Sequence, residues 1–247
     1  GGDEFHGGAG NDLIHARLGN DLVYGGIGFD TISGGAGDDS VWGGDGRDRV
    51  FLGAGDDIFF DTAQGGEWGR DTVFGGAGDD TIQGGNGDDV FYGGGGADVI
   101  FARLGADRVH AGGGDDRAYT GAGDDTLFGG SGRNRLFLGA GDDLVFAAAA
   151  GRDTIFGGPG ADTIGAGAGD LVAGGAGADR FVFAGPGRIA DFAPGEDLLV
   201  LEGPPDGGAR AVSAGDGGAA IALSGGGWVI LQGVSAADLS AADILWL

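Results

Sequence analysis

Aspartate recurs every nine residues through most of this chain, and its setting in each copy is that of a metal ligand. The clearest stretch, residues 75–92, reads GGAGDDTIQ and then GGNGDDVFY. The shared pattern is G-G-x-G-x-D-x-U-x, with U apolar. Glycines at the first, second and fourth positions permit φ > 0 and leave peptide carbonyls uncovered, and the sixth position sets a short carboxylate beside them. Two nonapeptides complete one circuit of a coil, so Asp80 stacks on Asp98, not on Asp89. Strands in a sheet lie ~4.8 Å apart, and carboxylates at that spacing repel by roughly 3–4 kcal/mol per pair at an effective dielectric near 20. A divalent cation between successive turns reverses the sign. Six to eight oxygen ligands in flexible loops suit Ca²⁺ better than Mg²⁺, and each repeat supplies half of such a site.

The opening residues 1–6 fit positions four to nine of the same pattern, with Asp3 at position six, so the chain is read as a fragment that opens within a repeat. Full copies then supply Asp12, Asp21, Asp30, Asp39, Asp48 and Asp57. Residues 61–65 interrupt the frame, which resumes at Gly66 and supplies Asp71, Asp80, Asp89, Asp98, Asp107, Asp116, Asp125, Asn134 and Asp143. One extra residue, Ala147, precedes Asp153 and Asp162, and a shortened copy over 166–173 carries Asp170 ahead of Asp179. These aspartates are the candidate calcium ligands; Asn134 is the break in the series. Position five alternates between Asp (Asp38, Asp79, Asp115) and Arg (Arg47, Arg70, Arg133), which marks a solvent-facing side chain and not a ligand. A longer duplication lies over the short one, because residues 16–60 align without gaps on residues 102–146.

Composition excludes several classes. The chain has 247 residues, 64 glycines, a net charge of −25 and no cysteine. The glycines recur every nine residues beside β-branched and aromatic side chains, which separates the chain from collagen and from low-complexity disorder. Only Glu4, Glu67, Glu196 and Glu202 are glutamates. Solubilising charge would use both acids, whereas a carboxylate tied to a turn calls for Asp. So acidic a surface makes nucleic acid an unsuitable partner. No disulfide or thiolate site is possible, and no apolar run is long enough to be a transmembrane helix.

These turns need elements to hold them. The eighth positions run Ile14, Val23, Ile32, Val41, Val50, Phe59, Val73, Ile82, Phe91, Ile100 and on to Phe181, which predicts two facing ladders and a core one side chain thick per strand. Positions seven to nine leave room for brief strands joined by six-residue turns. The fold class expected is all-β: a right-handed parallel β-roll, a two-sheet solenoid with 18 residues per coil, carrying a C-terminal β cap. So thin a core needs the metal as a staple, and the metal-free chain is expected to be largely unfolded. Ninth positions such as Tyr24, Trp42, Phe51, Phe74, Tyr92 and Phe137 are expected to stack in ladders; an outward stripe for a partner is the alternative. At position two, Arg17, Glu67, Arg103 and Ala149 replace glycine. Strain there predicts either a cost of ~1–2 kcal/mol or another backbone path, with weakened sites at Asp21, Asp71, Asp107 and Asp153.

After about Phe183 the nonapeptide stops, which divides the chain into a roll over 1–182 and a tail over 183–247. Apolar runs at 198–201, 219–223 and 228–231, separated by Gly-rich turns, read as hairpins that cover the open end of the solenoid. The nonapeptides identify the chain as resembling RTX, or haemolysin-type, calcium-binding repeat proteins. The segment DFAPGED (191–197) and the tail GVSAADLSAADILWL (233–247) resemble the C-terminal region of serralysin-type exoproteins. That resemblance implies a calcium-poor disordered state, an uncleaved type I secretion signal in the tail, passage through a type I exporter, and folding in extracellular calcium. The protein would then be secreted, or held at the cell surface.

No catalytic residue is assigned. His6 and His15 are nine apart and fall on opposite sheets, so a zinc site is not expected, and His110 reads as a strand-surface residue. There is no HExxH, no G-x-S-x-G and no cysteine nucleophile. Two other functions fit the sequence: an adhesin or surface-layer module that contacts polysaccharide or neighbouring copies, and the tail of an enzyme whose catalytic domain lies upstream.

Overall fold

The structure, a computed structural model, describes residues 1–61, 69–201, 211–213, 218–224 and 226–247, with 148–150 and 211–213 as backbone only. Every element among them is a β-strand, and as far as Leu198–Leu201 alternate strands go to alternate sheets. One sheet has fourteen strands and the other twelve. As far as Leu198–Leu201 each strand pairs in parallel with the strand two along, so Glu4 sits opposite Leu22 and Val99 opposite Arg117. The eighteen-residue coil and the parallel two-sheet roll expected from the repeat are the observed architecture.

The strands are longer than the repeat suggested. A typical one, Thr72–Ala77, covers positions seven to nine and continues through the first three residues of the next copy. The glycine pair is part of the ladder: Gly76 faces Gly94, which faces Gly112. Gly94 turns the chain with φ 115°. No side chain fits there, because a Cβ on Gly94 would lie 2.1 Å from the carbonyl oxygen of Gly76 in the coil beneath. Only the three residues around position five form the bend.

The core is also thicker than one side chain per strand. Val23, Ile82, Phe91, Ile100 and their eighth-position equivalents are fully buried, as expected. First positions point inward as well: among the described residues, Leu52, Ala102, Ala111, Thr120 and Leu138 have no exposed surface. Thr120 meets this environment by donating its hydroxyl to the carbonyl oxygen of Leu138 at 2.6 Å. On the outer faces the ninth-position rings form ladders. Phe51, Phe74, Tyr92, His110, Phe128 and Phe146 stack in sequence on one sheet with centroids 4.5–5.2 Å apart.

Irregular copies are absorbed locally. Across 61–65, part of which lies outside the described residues, the hydrogen-bond partner of Asp48 becomes Asp71, 23 residues on. The extra residue near 147 becomes a register shift in Leu144–Gly151 opposite Gly130 and Gly132. In the shortened copy, Asp153 bonds Asp170 only 17 residues away.

The coil runs on past Phe183. Leu198–Leu201 pairs in parallel with Arg180–Phe183 at an offset of 18, so this run is a strand of the roll and not half of a hairpin. Residues 192–200 are a disguised nonapeptide, with Gly195 fourth, Asp197 sixth and Leu199 eighth. Ile244–Trp246 then adds in parallel to Leu198–Leu201. The other sheet closes differently. Trp228–Leu231 pairs in parallel with Gly187–Ile189 and antiparallel with Ala219–Ala222, which pairs antiparallel with Ala211–Ser213.

Candidate metal centre

Each sixth-position aspartate stands just before a strand, and from Asp21 to Asp179 these side chains are buried. The two oxygens have different fates. Oδ1 of Asp98 accepts from the backbone N–H of Asp80 at 2.9 Å, and Oδ1 of Asp116 accepts from Asp98 at 2.9 Å. The same link joins Asp3 to Asp21, Asp12 to Asp30 and Asp89 to Asp107. Oδ2 has no such partner. In Asp12, Asp30, Asp39, Asp80, Asp98, Asp143, Asp162 and most of their equivalents this oxygen is buried and without a hydrogen bond. A buried carboxylate oxygen left unpaired along a whole row is costly unless something not made of protein meets it.

The space beside that oxygen is defined by the first-position glycine of the same repeat. A Cβ on Gly93 would lie 2.3 Å from the carbonyl oxygen of Ala111 and 2.5 Å from Oδ2 of Asp98. At Gly25 the equivalent oxygens, from Gly43 and Asp30, would lie at 2.4 and 2.7 Å. Carboxylate and carbonyl oxygens from adjacent coils converge in the same way at Gly7, Gly34, Gly75 and Gly157. Among the described residues no group of three or more His, Asp or Glu side chains gathers at one point, and the other oxygens brought close to Oδ2 are backbone carbonyls. All-oxygen donors of this mixed kind fit a hard cation of the calcium type.

The electrostatics agree. Burial pushes Asp107 up to about 8, against the lowering effect of the Asp89 N–H, and the charges of Asp89 and Asp125 add to the rise. Asp71 also rises to about 8, from burial and then from the charges of Asp61, Asp48 and Asp89. Asp80 and Asp143 reach about 7 for the same leading cause. Without a cation the row holds protons that an ordinary carboxylate would release.

The candidate ligands are not all alike. Asp3 is exposed in the first coil. In Asp170 the second oxygen accepts from Gly167 N–H at 2.7 Å, which the missing residue of that copy makes possible. Asn134 needs no outside partner, because its Nδ2 donates to the carbonyl oxygen of Gly129 at 3.0 Å. The turns at Arg17 and Arg103 do not take another path. Both residues adopt the glycine conformation, with φ 87° and 88°, in register with Gly35 and Gly121. Asp21 and Asp107 accept at Oδ1 like the rest, so the strain is kept and the carboxylate stays in place. Room for the Arg103 side chain comes from the coil beneath, where the strand Thr81–Gln83 stops short; its guanidinium donates to Oε1 of Gln83 at 3.0 Å. Glu67 lies outside the described residues, as does the side chain of Ala149.

Three features were not read from the sequence. Exposed position-five acids staple the turns in the opposite sense: Oδ1 of Asp79 accepts from Ala97 N–H at 2.6 Å, and Oδ1 of Asp38 from Asp56 at 3.0 Å. The inner ladder extends to Asp197, whose Oδ1 accepts from Asp179 N–H at 3.0 Å. It is closed at one end by Asp243, which accepts from Gly195 at 2.7 Å and is held below the usual carboxylate range by the Ser240 N–H. The frame of residues 192–200 carried the signal for Asp197. The histidines sit where expected: His6 beside Glu4 on one sheet, His15 on the other, and His110 stacked between Tyr92 and Phe128.

The sequence profile of the RTX calcium-binding nonapeptide repeat matches residues 1–32, 24–59, 65–100, 87–118, 101–136, 119–149 and 145–170, more than half of the chain. The chain belongs to the RTX family. A comparison with curated proteins gives no match. Among solved structures, this RTX chain is similar to the R3 subunit of AlgE6, a mannuronan C5-epimerase from Azotobacter vinelandii. The identity there is 24%, over 68% of this chain and 78% of that one, with a TM-score of 0.25. A Ca²⁺-dependent β-helical antifreeze protein from an Antarctic bacterium is 18% identical over 78% of this chain and 84% of its own, with a TM-score of 0.31. Extracellular lipase LipA from Serratia marcescens is 20% identical over 94% of this chain and 40% of its own, with a TM-score of 0.32. Among the described residues no helix is long and apolar enough to cross a membrane.

Proposed function

We propose that this RTX chain is a calcium-driven folding module of an exported protein. The sixth-position aspartates from Asp12 to Asp179 share calcium between successive coils, each ion held by carboxylate oxygens and by carbonyl oxygens such as that of Ala111. The observation that carries this reading is the row of buried, unpartnered Oδ2 atoms, which at Gly25, Gly34, Gly75, Gly93 and Gly157 converge with a carbonyl of the next coil. In low calcium the carboxylates repel and the chain stays unfolded, a state fit for threading through a type I exporter. Extracellular calcium then folds the roll. The region 183–247 carries the secretion signal and, beyond the roll strand Leu198–Leu201, caps the end of the solenoid, while the roll stabilises whatever larger exoprotein contains it. The chain has no catalytic role of its own in this reading.

Far-UV circular dichroism in excess chelator, followed by calcium titration, tests the folding part. A largely unfolded spectrum that converts cooperatively to β is expected; an unchanged folded spectrum in chelator overturns it. Fusing residues 174–247 to a reporter in a host with a type I exporter tests export, and retention of the reporter would leave the tail only as a cap.

A further inference from the structure

One coil breaks the pattern of acids, and its surface is basic. Asn134 replaces the sixth-position aspartate, and its amide hydrogen bonds satisfy it internally. Around it, Arg117, Arg133, Arg135 and Arg152 line a cleft of about 300 Å³, together with Asp115, Asp116 and Thr154. The chain has no lysine, and four of its arginines meet here on a molecule of net charge −25.

The arrangement is unfavourable as it stands. Arg117 faces Arg135 directly in the parallel ladder. Arg133 and Arg152 immediately precede Asn134 and Asp153, which are bonded across coils at 2.7 Å, so they too lie on successive coils. Like charges stacked this way destabilise a sheet. All four side chains are exposed, and none has a carboxylate partner among the described residues, although Arg70 elsewhere pairs with Asp88. Other arginines of the roll are accounted for differently: Arg49 lies over the Phe51 ring and Arg108 over Phe128.

We infer that this cleft is an anion site, in which the guanidinium groups of Arg117, Arg133, Arg135 and Arg152 bind an oxyanion, a sulfate, phosphate or carboxylate group. Planar guanidinium forks suit such oxygens in paired hydrogen bonds. Two stacked pairs, one coil apart, present forks on both sides of Asn134. Four guanidinium groups thus face the two carboxylates of Asp115 and Asp116, and an aspartate at 134 would add a third.

The test uses the full chain in calcium with ¹⁵N-labelled arginine, following the Nε–Hε signals at constant ionic strength. Titration with sodium sulfate, and separately with a hexuronate tetrasaccharide, should shift the signals of these four arginines together and saturably, leaving Arg49 and Arg108 unmoved. The double variant R133Q/R152Q should weaken the response at least tenfold while its calcium titration by circular dichroism is unchanged. Tetrasaccharide binding tenfold tighter than sulfate assigns the site to an anionic polymer; equal or weaker binding assigns it to a free anion. Linear shifts spread over all arginines, or saturable shifts that survive the double variant, overturn the inference. Unaltered calcium titration in the same variant keeps this outcome separate from the folding proposal.

Discussion

Asn134 donates its Nδ2 to the carbonyl oxygen of Gly129 at 3.0 Å while its Oδ1 accepts from Asp116, so one amide completes what each aspartate leaves open. Asp98 sits in the same frame relative to Gly93, with Oδ1 engaged by Asp80 and Oδ2 without a partner. Asp98→Asn should therefore reproduce the Asn134 arrangement. We expect the variant to retain more β structure than wild type in chelator and to bind less calcium. Its junctions with Asp80 and Asp116 should lose affinity by at least the 10–100-fold that follows loss of a supporting partner at a metal site. Calorimetric calcium titration checks this, and unchanged stoichiometry with unchanged affinity would remove Asp98 from the ligands.

The raised carboxylates set the sign of the pH dependence in the absence of metal. An aspartate that titrates near 3.8 when free is pushed to about 6 at Asp98 and Asp125, about 7 at Asp80 and about 8 at Asp107, with burial the leading cause. The folded chain then holds more protons than the unfolded one, so stability falls as pH rises. The contribution is fully present below about pH 4 and is lost progressively through the range 6 to 8. In chelator, β content at pH 5 should exceed that at pH 8, and calcium binding near pH 7 should release protons. A circular dichroism signal in chelator that is flat, or that grows toward pH 8, would contradict the burial of these groups.

The aromatic ladders call for a smaller effect. Tyr92 stacks on Phe74 at 4.8 Å and on His110 at 4.7 Å on the outer face, where the rings remain partly open to water. Tyr92→Ala removes two stacking contacts and should cost about 1–2 kcal/mol, against about 3–5 kcal/mol for Phe91→Ala one residue away in the sealed core. Urea unfolding of the calcium-loaded variants compares them. Equal losses would mean that the outer ladder is as closely packed as the interior.

What the sequence could tell was set by the repeat. Period nine made the stacking of Asp80 on Asp98 legible, together with the eighth-position core and the parallel two-sheet coil. The inward direction of position one was harder to see, because glycine at most copies hides the direction in which a side chain would point; Leu52 and Leu138 were its only bulky aliphatic markers. Strand length was underestimated because Gly76 and Gly94 pair in the ladder while turning the chain, and propensity counts glycine as a breaker. Leu198–Leu201 reads as a hairpin strand because Phe192 and Pro194 disguise the nonapeptide frame that Gly195 and Asp197 keep. The inward fold of each carboxylate, with one oxygen bonded and one left open, depends on contacts 18 residues away that no local pattern encodes.

Arg103 and Gly121 test the backbone itself. They stack in register, both with left-handed φ, 88° and 110°, but only one of them carries a side chain. Arg103 tolerates it because the strand beneath ends at Gln83, and the conformation still costs an L-residue about 1–2 kcal/mol. Arg103→Gly should therefore stabilise the calcium-loaded roll by about 1 kcal/mol, the relief of strain being offset by the freedom glycine gains in the unfolded chain. Gly121→Ala should do the opposite and more strongly. Its new Cβ would lie 2.0 Å from the carbonyl oxygen of Arg103, a backbone atom fixed by the ladder, so neither side can yield without breaking the pairing of Val99–Leu104 with Arg117–Ala122. A loss of more than about 3 kcal/mol is expected. Urea unfolding in saturating calcium measures both variants, with Gly113→Ala as a control because a Cβ there meets nothing nearer than the Ser131 Oγ at 3.2 Å. If Gly121→Ala costs no more than Gly113→Ala, the coils are not packed carbonyl against glycine in the way that leaves the Asp98 and Ala111 oxygens facing each other.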